Sequence, residues 1–135
     1  MNQIYPDIGL IPLLQLMVSS TLHLNLFTNN ITPDRSTVVG GLNVATWSGY
    51  AQVSLTSGDF TASGVVGHVG FLLAPPKSFA NASGSPQSAY GYYLTDASDT
   101  ILLAIARFDS APITKADGEF FFVAPIIGDS SRLLS

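Results

Sequence analysis

The chain has 135 residues, no cysteine and a net charge of −4, and only 10% of its residues are charged. That length suits one domain with its own core, and the lack of cysteine excludes disulfides and thiolate metal sites. Its five basic residues are too few to neutralise a run of phosphates, so the composition argues against nucleic-acid binding. A surface with so few charges is typical of a protein that packs against neighbours.

The N-terminal segment predicts one short helix over residues 7–19. Asp7 is a suitable N-cap, and Pro12 restricts the regular part of the helix. The apolar residues at helical spacing are Leu10, Leu13, Leu14 and Met17. Residues 1–20 therefore form an arm with a short helix, which either covers one end of the core or packs on a neighbouring subunit.

The first residues lack the basic region of a signal peptide, and Pro12 interrupts the apolar run that follows. No stretch approaches the roughly 18–20 apolar residues that a membrane-spanning helix needs. We therefore expect synthesis in the cytoplasm of the cell and no contact with a membrane.

Alternating apolar and polar residues predict strands after the helix. Residues 21–27 alternate, with leucines inward and His23 and Asn25 outward, and residues 50–56 repeat the pattern. The glycine-spaced residues 64–74 indicate one further strand, which Pro75-Pro76 ends. Residues 77–81 predict a short edge strand.

The most regular pattern is a β-hairpin over residues 88–108, with the polar turn Asp96-Ala97-Ser98-Asp99. A four-residue turn places Thr95 opposite Thr100 and Leu94 opposite Ile101. Neither face of this hairpin is polar, so both faces should be covered. In that register one face carries a flat strip of small residues, where a helix or another subunit can approach: Ala89, Gly91, Ala104 and Ala106.

A last strand is predicted over residues 119–127, followed by a polar tail over residues 129–135. About eight short strands separated by Gly/Pro turns indicate an all-β fold, a β-sandwich or a jelly-roll-like architecture, with one short N-terminal helix. The sandwich domain spans residues 21–128.

The residues predict no catalytic site, cofactor site or metal site. His23 and His68 lie far apart and lack the spacing of metal ligands, Glu119 is the only glutamate, and no G-x-S-x-G motif presents a serine. Five aspartates fall in predicted turns, which explains them without calcium and leaves one weak calcium site open: Asp34, Asp59, Asp96, Asp99 and Asp117. We therefore predict that the chain is not an enzyme.

The aromatic residues allow two interpretations. As strand residues, they fill a core or an interface, where aromatic rings bury a large area. Alternatively, some of them form a sugar-stacking platform on a carbohydrate-binding β-sandwich module. Candidates for that platform are Trp47, Tyr50, Tyr90, Tyr92, Tyr93 and residues 120–122.

Taken together, three segments resemble a group of small structural proteins from tailed bacteriophages. They are LHLNLFTNNITP at residues 22–33, the pair Gly49-Tyr50 that opens a strand, and YGYYLTDASDTILLAIARF at residues 90–108, with a proline and a closing strand from Pro112 onward. The likeness covers most of residues 22–125, and residues 38–44 depart from it.

The resemblance implies a virion component, a capsid decoration (cement) protein that docks on the shell of the major capsid protein and stabilises it. It also implies contact with copies of itself, in a trimer. The residues that we expect at such interfaces are Leu10, Leu13, Leu14, Met17, Ala89, Gly91, Ala104 and Ala106. A tail or fibre component and a carbohydrate-binding module remain as alternatives.

Overall fold

One helix and eleven strands lie within residues 7–66 and 69–128, the residues that the computed structural model describes. The elements are α1 (Asp7–Met17), β1 (Leu22–Phe27), β2 (Val53–Leu55), β3 (Ala62–Val66), β4 (Val69–Leu73), β5 (Lys77–Ala80), β6 (Gln87–Ala89), β7 (Gly91–Asp96), β8 (Leu102–Arg107), β9 (Ile113–Lys115), β10 (Phe120–Val123) and β11 (Ile126–Gly128). Short 3-10 helices form at Val39–Gly41 and Ser57–Asp59. The all-β class with one short helix is confirmed, and the strands outnumber the eight that were predicted.

All the described strand pairs are antiparallel. The largest sheet has the order β2-β1-β7-β8, and a three-stranded sheet has the order β11-β4-β3. Two further sheets are pairs, β10-β5 and β6-β9. Side chains of the four-stranded sheet, such as Leu24 and Leu94, share one buried cluster with Leu72, Phe79 and Phe121 from the other sheets. The fold is therefore sandwich-like, with its main core between these sheets.

Two predicted strands are each divided in two. Strands β3 and β4 pair antiparallel, with Val66 opposite Val69, and the Phe71 ring packs on Gly64 across the ladder, where a Cβ atom would stand 2.8 Å from it. The closing strand is divided at Ala124 and Pro125, and β10 pairs with β5 while β11 pairs with β4. Since proline cannot donate to a ladder, the chain changes sheets there. His68 lies outside the described residues.

The β7-β8 hairpin forms, but its predicted register is wrong. Leu94 pairs with Ala104 and Thr95 with Leu102, with a bulge between them, instead of Leu94 with Ile101. The cause is a longer turn: the Asp96 carboxylate accepts the backbone N–H groups of both Thr100 and Ile101, which keeps them out of the ladder. The expected 96–99 turn is present, closed by the N–H of Asp99 donating to the carbonyl of Asp96.

The hairpin face opposite the main core is packed by residues of this chain, so neither α1 nor a partner is needed there, while Ile101 and Leu103 near the turn stay exposed. A second buried cluster of Phe27, Leu42 and Tyr93 lies there, with Ile31 and Ile105 packed against it. The loop between β1 and β2 supplies Ile31 and Leu42. Arg107 fixes this loop by donating to the Ile31 carbonyl at 2.8 Å.

Helix α1 ends at Met17, two residues before the predicted end, and contains Pro12 in its second turn. It lies mainly against β4 and β3. Ile11 and Leu14 pack on the main core. The interpretation that the helix covers one end of the core is therefore supported by its own contacts.

Candidate contact surfaces

Two neighbouring phenylalanines project from strand β10. Phe120 and Phe122 are 45% and 68% exposed, and their ring centroids lie 6.3 Å apart. Because side chains alternate along a strand, Phe121 and Val123 point the other way and are buried in the core. We call Phe120 and Phe122 the phenylalanine ridge.

The partner strand explains why the ridge stays uncovered. Phe120 pairs with Ala80 and Phe122 with exposed Ser78 on β5, and these two strands form a sheet of their own. A two-stranded sheet that buries one face leaves its other face to solvent. The sequence contains a sign of this surface, because residues 120–122 are three consecutive phenylalanines in a strand. Since side chains alternate between the two faces, they cannot all point into the core.

Helix α1 presents a second apolar surface. Leu16 and Met17 are 70% and 50% exposed at its C-terminal end, while Leu14 faces the core. The predicted helix residues are therefore divided between the core and the surface. The side chains of Leu10 and Leu13 lie outside the described part of the chain.

The predicted strip of small residues does not form one face. Ala104 and Ala106 pack on the main core, and Ala89 is fully buried there. Gly91 lies on the opposite face of the hairpin, where a Cβ atom would stand 2.6 Å from the Phe27 ring and against the Ala106 carbonyl. The small residues serve close packing within this chain, and the corrected register is the reason.

Most of the aromatic residues proposed for sugar stacking are core residues. Trp47 stacks on Phe121 with centroids 5.3 Å apart, and Tyr50 stacks on Phe79 at 5.4 Å. Tyr92 and Tyr93 are buried. Stacked aromatic pairs of this kind stabilise a core beyond their buried area. Among the described residues, the ridge holds the aromatic rings that stand out to solvent most.

An open apolar groove of about 450 Å³ lies beside the end of β8. The groove is lined by apolar residues such as Tyr92, Phe108, Ile113 and Ile126, together with the charged residues Arg107 and Asp109. Burial in the protein raises the pKa of Tyr92, so its hydroxyl is protonated at neutral pH. The groove offers apolar contact with little charge.

A polar cluster holds the β7-β8 turn onto the neighbouring strands. Oδ1 of Asp99 accepts hydrogen bonds from Nδ1 of His23 at 2.8 Å, Nε2 of Gln52 at 2.9 Å and Oγ1 of Thr95 at 3.1 Å. These donors, His23 first, lower the pKa of Asp99. We call these four residues the Asp99 latch; the sequence placed Asp99 in a turn and His23 on the surface without joining them.

Among residues 7–66 and 69–128, no group of three or more His, Cys, Asp or Glu side chains is arranged to hold a metal ion. Within the same residues, no helix is long and apolar enough to span a membrane. No family model, curated protein or solved structure matches the chain.

Proposed function

We propose that the protein is a virion structural protein, a capsid decoration protein that docks on the shell of the major capsid protein and stabilises it. The observation that carries this proposal is the phenylalanine ridge, two adjacent exposed rings on a protein with few charges. The resemblance of residues 22–125 to small structural proteins of tailed phages supplies the kind of partner.

Docking of the ridge would remove two large apolar side chains from water. Complete burial of an exposed phenylalanine contributes about 1.5–3 kcal/mol. Docking can add only the part of that free energy that corresponds to the area each ring still exposes. Leu16 and Met17 supply further apolar area at the end of α1. One such contact is weak, but many copies on one shell act together.

Contact with copies of the same chain is part of this proposal, as in a trimer. The resemblance implies this trimer, but a neighbouring copy is not needed to cover the second face of the hairpin, because Ile31 and Leu42 of the same chain pack there. Two exposed apolar surfaces remain for a neighbouring copy: the C-terminal end of α1, with Leu16 and Met17, and the phenylalanine ridge. Sedimentation of the free protein and of the protein on heads would measure the oligomer directly.

The test is binding to purified heads of the phage that encodes the chain. The double variant F120S/F122S removes the ridge without touching the core, and we expect it to lose head binding while keeping the wild-type melting temperature. The matched control I101S/L103S changes two other exposed apolar residues, on the hairpin, and should bind normally.

Two results would overturn the assignment. Normal head binding by folded F120S/F122S would show that the ridge is not the docking surface. Absence of binding by the wild-type protein to heads, together with binding to isolated tails, would favour the tail or fibre alternative instead.

A further inference from the structure

A small pocket of about 250 Å³ lies on the outer face of the four-stranded sheet, between the 3-10 helix Val39–Gly41 and the Asp99 latch. We call it the Asn25 pocket. Its lining combines polar and apolar side chains: Asn25, Tyr93, Gln52, Asp99, Val39 and Val44. Asn25 and Tyr93 are direct partners on β1 and β7, so both side chains lie on this face.

Asn25 is buried, with 3% exposure, although the sequence placed it on an outward polar face. Its amide orientation follows from its neighbours. The N–H of Leu26 donates to the Tyr50 hydroxyl at 2.9 Å, so the hydroxyl proton must point elsewhere, and it meets Oδ1 of Asn25 at 2.7 Å. The amide oxygen of Asn25 therefore faces Tyr50, and the amide nitrogen Nδ2 points away from Tyr50.

Nδ2 of Asn25 donates to no described residue. Within the described residues, no fully buried side-chain nitrogen or oxygen lacks a partner, so Nδ2 must be reached by solvent. Asn25 lines the pocket, and the pocket is the route to solvent. This nitrogen is therefore a hydrogen-bond donor that is available to a ligand in the pocket.

The hydroxyl of Tyr93 supplies a second donor. It too makes no hydrogen bond to a described residue, although the side chain is buried. Burial, and then the negative charge of Asp99, raise the pKa of Tyr93. The phenol therefore keeps its proton at neutral pH.

Acceptors lie on the other side of the pocket. Nε2 of Gln52 is engaged by Asp99, which leaves Oε1 of Gln52 without a described donor. The three donors of the Asp99 latch all meet Oδ1, so Oδ2 is also open. Val39 and Val44 add an apolar wall.

We propose that the Asn25 pocket binds the acetamido group of an N-acetylhexosamine. The carbonyl oxygen of that group accepts from Nδ2 of Asn25 and from the Tyr93 hydroxyl, and its N–H donates to Oε1 of Gln52. Its methyl group packs on Val39 and Val44. The sugar hydroxyls donate to Oδ2 of Asp99 at the rim.

Other neutral ligands fit this arrangement less well. A glutamine side chain has the carbonyl and the N–H groups but lacks the methyl group that the valine wall matches. A single peptide unit has one donor, whereas the pocket presents two acceptors, Gln52 and Asp99. The site is separate from the phenylalanine ridge, so sugar binding and capsid docking can succeed or fail independently.

The test is a titration of the full ¹⁵N-labelled chain followed by NMR, reading the Asn25 side-chain amide and the Tyr93 backbone amide. N-acetylglucosamine should cause saturable shifts of both signals. Glucose, which lacks the acetamido group, and propionamide, which lacks the sugar, should each bind at least about tenfold more weakly, because glucose loses the acetamido contacts and propionamide loses the hydrogen bond to the charged Oδ2 of Asp99.

The variant Tyr93→Phe removes only the hydroxyl and should weaken N-acetylglucosamine binding about threefold or more. Tyr90→Phe is the matched control, since Tyr90 does not line the pocket, and should bind as the wild type does. Absence of saturable shifts with the wild type, or equal binding of glucose, would overturn the proposal. Tighter binding of propionamide would assign the pocket to a carboxamide side chain of a protein instead.

Discussion

Nδ1 of His23 and Oδ1 of Asp99 lie 2.8 Å apart, which joins strand β1 to the turn between β7 and β8. The two residues are 76 positions apart in the chain. Asp99 adopts a positive φ of 59°, a conformation that aspartate and asparagine tolerate better than most residues. The contact therefore fixes both the turn and the rim of the Asn25 pocket.

Asp99→Asn should lower the free energy of unfolding by about 0.5–1 kcal/mol at pH 7, since the charge-assisted part of three partly exposed hydrogen bonds is lost. The pKa of Asp99 is lowered in the folded protein, so this contribution is present above the unfolded pKa of about 3.9. It disappears as the pH falls through the lower folded pKa. Urea unfolding across that range measures it.

Asp109→Asn is the matched control, because Asp109 is an exposed carboxylate without a hydrogen bond to a described residue. It should change stability by less than about 0.5 kcal/mol. The difference in free energy of unfolding between D99N and the wild type should shrink at low pH. If it stayed constant down to pH 2, the latch would not depend on the charge of Asp99.

Tyr50→Phe should cost about 1–3 kcal/mol of stability, because it leaves the Leu26 N–H and Oδ1 of Asn25 without their shared partner in a buried site. Tyr90→Phe removes a hydroxyl that bonds no described residue and should be nearly neutral. Thermal unfolding of both variants makes the comparison. Equal melting temperatures would show that the Tyr50 hydroxyl does not stabilise the contact between β1 and the loop that leads into β2.

Gly91→Ala should destabilise the fold by more than about 2 kcal/mol, because the new methyl group would meet the Ala106 carbonyl and the Phe27 ring. Gly40→Ala is the control, since a Cβ atom there has nothing within 4 Å. Denaturant unfolding should separate the two variants clearly. Wild-type stability of G91A would contradict the close approach of β7 to β8 and Phe27.

Ala104→Asp should unfold the isolated chain or lower its melting temperature sharply, because it puts a charge against the main core. Leu103→Asp, at an exposed neighbouring position in the same strand, should be tolerated. A folded A104D protein that fails only in assembly would mean that Ala104 faces another subunit.

Sequence patterns predicted the element types better than the pairings. Leu22, Leu24 and Leu26 face inward as their alternation indicated, and the helix lies where the leucine spacing placed it. Alternation and spacing are local properties, so they survive without knowledge of the rest of the fold. The register of β8 depends on which backbone groups the Asp96 side chain captures, and no periodicity encodes that choice.

The candidate sites depended even more on distant contacts. Asn25 looked like an outward polar residue of β1, yet the Tyr50 hydroxyl and the loop with Leu42 bury it. Val39, Leu42 and Val44, from a loop between β1 and β2 with no regular sequence pattern, form one wall of its pocket. Residues 120–122 were predicted to fill a core or an interface or to join a sugar-stacking platform, and the exposure of Phe120 and Phe122 follows from the two-stranded sheet of β10 and β5.

Counting copies in the purified virion tests the proposed function most directly. Quantitative gel or cryo-EM analysis of heads separated from tails should give a fixed, large copy number per head, set by the capsid lattice and retained after the tails are removed. A few copies that fractionate with tails, or absence from the virion, would contradict a capsid decoration protein.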